Sequence, residues 1–272
     1  MLLALPLSED EGLVVFVSLA LWVLTWIWWY WELGAGSKLR AERTASRMLA
    51  LVPPGALLVL YAILRRWASF GVRDSAEYLF QYVALGAAWL GVALRFLPWL
   101  GISARDDVAE RGNPAAAVAL TGALLGITLC YAGGNVGDGP GWWVVLFSSG
   151  LATTGFFLAW AVLESTAHPS DAVTIDRDVA SGIRQAAFCV AQGAILARGV
   201  AGDWESAAAT LRDLAAHGWP VLAVLALAIL FERALRPTEA EPRRSLVAGG
   251  VVPGTVLVAG ALAWITWLGA AT

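Results

Sequence analysis

The side chains able to carry chemistry are few and loosely spaced. His168 and His217 stand far apart, so a haem held between paired histidines has no ligand set. Cys130 and Cys189 both lie inside apolar runs, with no spacing that suggests a disulfide framework or a zinc site. They read as small buried hydrophobes. No Gly-x-Ser-x-Gly, His-Glu-x-x-His or Walker-type phosphate loop occurs. The segment Gly133–Gly137 is glycine-rich, but no strand leads into it, so it reads as a tight turn rather than a phosphate cradle. The expectation is a protein that is not an enzyme, with no catalytic residue, no cofactor and no metal.

What remains is a set of polar groups inside or beside apolar stretches. Such groups are costly in a bilayer and mark functional positions. Gln185 and Gln192, seven apart, share one helical face. The candidate polar pathway comprises Asn135, Asp138, Ser148, Ser149, Gln185, Gln192, Arg198, Asp203, Arg212, Asp213 and His217, lining a vestibule between two helical hairpins. The competing reading has Arg198 snorkelling outward, Arg212 and Asp213 on a surface helix, and Glu164 and Glu232 among lipid headgroups. Arg95 and Arg184 read as interface anchors and Glu32 as interfacial. Thr121–Gly126 forms a small-xxx-small face suited to close helix packing.

The elements that must position these residues follow from composition. The chain has 272 residues, of which 59% are hydrophobic and 14% charged. Soluble domains run at about 45–50% and about 25%. Mean hydropathy is +0.69. Disorder is excluded, and a net charge of −3 leaves no nucleic-acid footprint. A bilayer core needs about 20 apolar residues in helix. Runs near 12–33, 51–69, 76–99, 114–133, 141–164, 179–200, 206–234 and 246–270 qualify, giving about eight transmembrane helices. The second run opens at Pro53-Pro54 and could be re-entrant. The seventh carries Pro220 and is either kinked or begins on the surface. The start, Met1 to Pro6, lacks the basic region of a signal peptide, so the first run reads as a permanent anchor.

Expected boundaries are Gly34 and Gly36 ending helix one, Asp74 with Glu77 capping helix three, Asn113 capping helix four before Pro114, and Asp203 capping helix seven. Gly139-Pro140-Gly141 opens helix five. Lys38, Arg40, Arg43, Arg47, Arg95, Arg105, Arg111, Arg177, Arg184, Arg233, Arg236, Arg243 and Arg244 fall on one side of the resulting topology. Only Arg65, Arg66, Arg73, Arg198 and Arg212 fall on the other. The positive-inside rule then predicts both termini outside. Trp26, Trp28, Trp29, Trp31, Trp142 and Trp143 lie at run ends and read as an interfacial belt, with an aromatic cage as the alternative.

A shift of 65 residues lays Ala132–Asp138 over Ala197–Asp203 and Ala115 over Ala180. Each unit is helix, Gly-Asp turn, helix. Both start on the same side, so the pair reads as a parallel repeat about an axis along the membrane normal. The stretch Glu110-Arg-Gly-Asn-Pro-Ala-Ala-Ala with Gly122 and Gly126, and the stretch Asp176-Arg-Asp-Val-Ala-Ser-Gly182 running to Ala201-Gly-Asp-Trp204, resemble the paired repeats of the YjfL-type bacterial inner-membrane family, a domain of unknown function (350). The resemblance covers about 105–235. The resemblance implies a small multi-helix inner-membrane protein with neighbours linked to envelope stress or polyamine metabolism, and transfers no catalytic residues.

The sequence therefore predicts an all-α polytopic membrane protein. Its parts are an N-terminal three-helix segment (1–104), a first two-helix repeat (105–168), a second (169–237) and a C-terminal transmembrane helix (238–272). The expected role is structural or assembly, by oligomerising or docking a partner in the bilayer. The alternative is an ion or proton channel or transporter-like protein using the vestibule. Expected partners are membrane lipid and either further copies of the chain or a membrane complex, with no nucleic acid.

Overall fold

The structure, a computed structural model, describes residues 7–37, 44–238 and 245–271. The expectations for Met1–Pro6 and for Lys38, Arg40, Arg43, Arg243 and Arg244 fall outside those residues. Helices make up the whole described framework, with no strand among the described residues. In chain order they are α1 (Glu9–Ser37), α2 (Thr44–Trp67), α3 (Phe70–Arg73), α4 (Ala76–Ala93), α5 (Pro114–Gly133), α6 (Trp142–Ala167), α7 (Pro169–Thr174), α8 (Val179–Val200), α9 (Ala207–Gly218), α10 (Pro220–Leu235) and α11 (Val252–Ala271). A 3₁₀ segment, Leu94–Leu100, extends α4. Single π-turns, Ala104–Glu110 and Leu246–Val251, precede α5 and α11.

Among the described residues seven helical spans are long and apolar enough to cross a membrane, and the pair α9–α10, bent by 43°, makes an eighth when it is counted as one broken span. The bend falls where Pro220 cannot supply its N–H to the preceding turn. Counted this way, the described ends share one face. We call it the turn face, because the turns at Gly137 and Gly202 lie there. The opposite, cap face carries the helix starts at Asn113 and Asp178.

Several boundaries differ from expectation for identifiable reasons. Helix α1 begins at Glu9 through a capping box: Ser8 Oγ accepts from Glu11 N–H, and Glu11 accepts from Ser8 N–H at 2.9 Å. It runs through Gly34 and Gly36 to Ser37, because isolated glycines weaken a helix without ending it. Helix α2 starts at Thr44, upstream of Pro53 and Pro54, and spans without re-entry. The Ala50 carbonyl, left free because Pro54 has no N–H, accepts from Tyr30 Oη at 3.1 Å. Ser75, not Asp74, caps α4 by accepting from Tyr78 N–H. Ser206, not Asp203, caps α9. Asn113 caps α5 as expected, with Pro114 first in the helix. Of the tryptophans near the end of α1, Trp26 and Trp29 are buried in protein, and Trp26 Nε1 donates to Ala87 O at 2.8 Å; Trp31 is exposed.

The core is the pair α5 and α8. Within their spans 78% and 67% is buried in protein, against 28% for α1 and α2 and 33% for α11, whose remaining apolar surface faces outward. Small residues bring the two backbones together: Gly122 against Ala186, Gly133 against Ala197, Gly182 against Ala115. A Cβ on Gly193 would lie 2.5 Å from Gly126 O, so only glycine fits there.

Local geometry recurs at a spacing of 65 residues. Asn113 and Asp178 are both N-caps whose N–H groups bond back to Asp107 O and Ala172 O at 2.9 and 3.0 Å. Arg111 N bonds to Asp106 O, and Asp176 N to Asp171 O. Gly112 and Arg177 share a left-handed φ of 61° and 57°, and Gly137 and Gly202 also have positive φ. The two turns clasp each other: Asp138 N donates to Asp203 Oδ1 at 2.8 Å, Gly202 N to Val136 O, and Trp204 N to Asp138 O.

Candidate functional site

Three polar places and one apolar groove stand out. The first polar place lies near the cap-face end of α8. Arg184 and Glu232 are each 3% exposed and pair at 2.8 Å. Arg184 also donates to Ser181 Oγ at 2.7 Å and to the Gly249 carbonyl, which ties α8 to α10 and to the turn before α11. Ser181 has one proton. Its oxygen is 2.8 Å from Asp178 Oδ2 but 3.3 Å from Glu232 Oε1, so the proton goes to Asp178 and the guanidinium is the main partner of Glu232. Arg184 is therefore not an interface anchor, and Glu232 is not among headgroups. Each neutralises the other inside the protein. The sequence could not pair them, because they lie 48 residues apart. Arg95, by contrast, lies on the Trp28 ring, 3.4 Å from its centre, and Glu32 faces Arg105 at 3.8 Å.

The second place is a polar cavity of about 290 Å³ at the turn face. It is walled by the starts of α1, α4 and α6, the end of α5, and the two clasped turns. Asn135, Asp138 and Ser148 line it, together with Glu11, Tyr78, Tyr82, Trp204 and Thr210, which the sequence reading missed. An acidic residue at the start of a span was the available signal for Glu11. Nothing in the linear order joins it to a loop more than a hundred residues away. Asn135 Nδ2 donates to Tyr131 O at 2.8 Å, and the neighbouring Ser149 donates to the same carbonyl at 3.1 Å.

The third place is the buried amide face of α8. Gln185 and Gln192 are 2% and 0% exposed. Gln185 Nε2 reaches only the Cys189 sulfur, at 3.8 Å, and its Oε1 has no partner. Neither amide atom of Gln192 has a hydrogen-bond partner. Gln81 on α4 is likewise buried and unpaired. The remaining sequence candidates lie elsewhere. Arg198 is half-buried, Asp203 serves the turn clasp, and Arg212 and Asp213 are exposed on α9. His217 is half-buried and offers its backbone oxygen to Trp264 Nε1 at 2.9 Å. The structure thus gathers Asn135, Asp138 and Ser148 in one cavity, buries Gln185 and Gln192 away from it, and leaves Arg212 and Asp213 outside.

The apolar groove follows α4. One stretch, about 510 Å³, is lined by Trp89, Phe96, Trp99, Gly150, Phe157 and Ala161. A second, about 450 Å³, shares Trp89 and Val92 with it and continues along α1 to Asp10 and Trp142. Trp89 Nε1 donates to Thr153 Oγ1 at 3.1 Å across the groove wall. Among the described residues, no three His, Cys, Asp or Glu side chains converge as a metal site would require.

Fold and site together define an all-helical, polytopic membrane protein with a close-packed core and a small polar recess at one face. Within it, residues 68–200 match the family described as Domain of Unknown Function (DUF350), the family the sequence resembles. The match begins earlier than the resemblance, taking in α3 and α4, and ends with α8, so α9 and α10 lie beyond it. No curated protein and no solved structure matches the chain.

Proposed function

We propose that this protein is a non-enzymatic assembly component of the bacterial inner membrane, associating with its own copies or with another membrane protein. The observation that carries the reading is a closed centre beside an open flank. Helices α5 and α8 meet backbone to backbone at Gly122, Gly126, Gly133, Gly182 and Gly193, spaced along the whole seam. The groove along α4 presents aromatic side chains next to Gly150 and Ala161, and small residues of this kind let a second helix approach closely. The concentration of arginines on the cap face, Arg47, Arg95, Arg105, Arg111, Arg177, Arg233 and Arg236 among them, supports a cytoplasmic cap face with both ends outside. The geometry recurring at 65 residues supports reading the two hairpins as copies of one unit, related by an axis along the bilayer normal.

Crosslinking and mass measurement in native nanodiscs test this. A dimer, a larger assembly or a stoichiometric partner is expected, weakened when Trp99→Ala and Phe157→Ala are combined. A strictly monomeric particle without a partner contradicts it. The turn-face cavity favours a second reading, a small-ion channel. Ion flux in liposomes that is lost when Asn135→Ala and Asp138→Ala are combined would establish that reading instead.

A further inference from the structure

The turn-face cavity has an uneven chemistry. Its lining holds two carboxylates, Glu11 and Asp138, and no Lys, Arg or His. Several of its acceptors are unused. The hydrogen bonds that Glu11 accepts, from Ser8 N at 2.9 Å and Tyr78 Oη at 3.5 Å, go to Oε2, and the single Ser8 Oγ proton goes to Asp10 Oδ1 at 2.6 Å, so Oε1 is open. Ser148 is 3% exposed, lines the cavity, and its hydroxyl makes no hydrogen bond among the described residues. Its oxygen faces the cavity and is free to bond to an occupant. The Asp138 carboxylate is exposed at the rim.

The depth of the cavity matters as much as its charge. Glu11 is in the first turn of α1, Tyr78 in the first turn of α4, and Ser148 lies six residues into α6, about 9 Å along its axis. A cavity at the ends of three spans sits where lipid headgroups sit. The same helices, α1, α4 and α6, also wall the apolar groove that starts at Asp10 and Trp142.

We propose that this cavity binds the primary ammonium of an aminophospholipid headgroup, with the lipid's acyl chain along the groove beside α1. A primary ammonium has three N–H donors. Glu11 Oε1, Ser148 Oγ and the amide oxygen of Asn135 are acceptors suited to them, with Glu11 supplying the countercharge. A trimethylammonium head has no N–H to give the Ser148 hydroxyl or the Glu11 carboxylate. A volume of about 290 Å³ holds an ethanolammonium group with room for water. The acyl chain would take the α1 stretch of the groove, next to the stretch that the assembly reading gives to a partner, and the lipid titration reads headgroup selectivity whatever the oligomeric state.

Delipidated full-length protein titrated with dioleoyl-phosphatidylethanolamine, and separately with dioleoyl-phosphatidylcholine, gives the test by native mass spectrometry. The ethanolamine lipid is expected to bind at least tenfold more tightly. Losing a hydrogen bond to a charged group corresponds to roughly 10- to 100-fold in affinity, so Glu11→Gln and Ser148→Ala should each weaken that lipid within this range. Both should leave phosphatidylcholine binding unchanged. Both residues allow a conservative change, and an unaltered melting curve for each variant shows that the fold is intact. Equal binding of the two lipids overturns the proposal, as does unchanged affinity in both variants. Free ethanolamine hydrochloride binding as tightly as the lipid would place the source in solution and overturn the lipid assignment.

Discussion

Replacing Arg184 with alanine isolates the energetics of the buried centre. Arg184 bonds to Glu232 at 2.8 Å, to Ser181 at 2.7 Å and to the Gly249 carbonyl, with both charged residues 3% exposed. Its removal leaves the Glu232 carboxylate facing only Ser181, whose proton is already given to Asp178. Breaking a buried pair from one side costs about 3–5 kcal/mol, because the remaining charge is desolvated and uncompensated. That is a large share of a typical total stability of about 5–15 kcal/mol. Exchanging both partners for apolar residues of similar volume is often neutral or stabilising. Arg184→Met with Glu232→Leu should therefore recover most of what Arg184→Ala loses. Reversible unfolding in mixed detergent–SDS micelles, followed by tryptophan fluorescence, measures all three proteins. A loss under about 1 kcal/mol in Arg184→Ala, or a double variant less stable than the single one, would refute the assignment of a neutral, water-excluded pair.

Three further substitutions probe other parts of the packing by the same measurement. Gly193→Ala drives a Cβ into the Gly126 backbone and should cost about 1–3 kcal/mol; Gly260→Ala, with nothing within 4 Å, should be neutral or gain about 0.4–1 kcal/mol. Equal effects at the two positions would mean that the α5–α8 seam is looser than described. Gln192→Leu removes a buried amide that has no partner and should be neutral or stabilising by up to about 1–3 kcal/mol; marked destabilisation would reveal a partner for the amide. Tyr30→Phe frees the Ala50 carbonyl and should cost about 0.5–1.5 kcal/mol, detectable as a lower unfolding midpoint.

Much of the framework was readable because bilayer thickness imposes a length on every apolar run, and the eight runs correspond to the seven single spans and the bent α9–α10 pair. The Asn113-Pro114 start and the Trp142 start were readable because capping and chain breaks are local events. Boundaries slipped where local chemistry offered near-equal choices. Ser75 and Asp74 are adjacent candidate caps, and Asp203 was drawn into the clasp with Asp138 while Ser206 took over the capping. Pro53 looked like a helix start, but Tyr30, from another helix, serves the carbonyl that Pro54 leaves free. The sites were less legible for the same reason. The Arg184–Glu232 pair and the Glu11 wall of the cavity are made by contacts between distant segments, and neither spacing nor periodicity encodes these. Asn135, Asp138 and Ser148 were found together because one turn and the helix following it carry all three.

A density map of the full chain in a lipid nanodisc tests the central claim most directly. Residues 104–167 should superimpose on 169–235 by rotation about the bilayer normal, with α5 and α8 in backbone contact at Gly126 and Gly193 and both described ends on one face. Water-filled space between α5 and α8, or hairpins of opposite orientation, would contradict it.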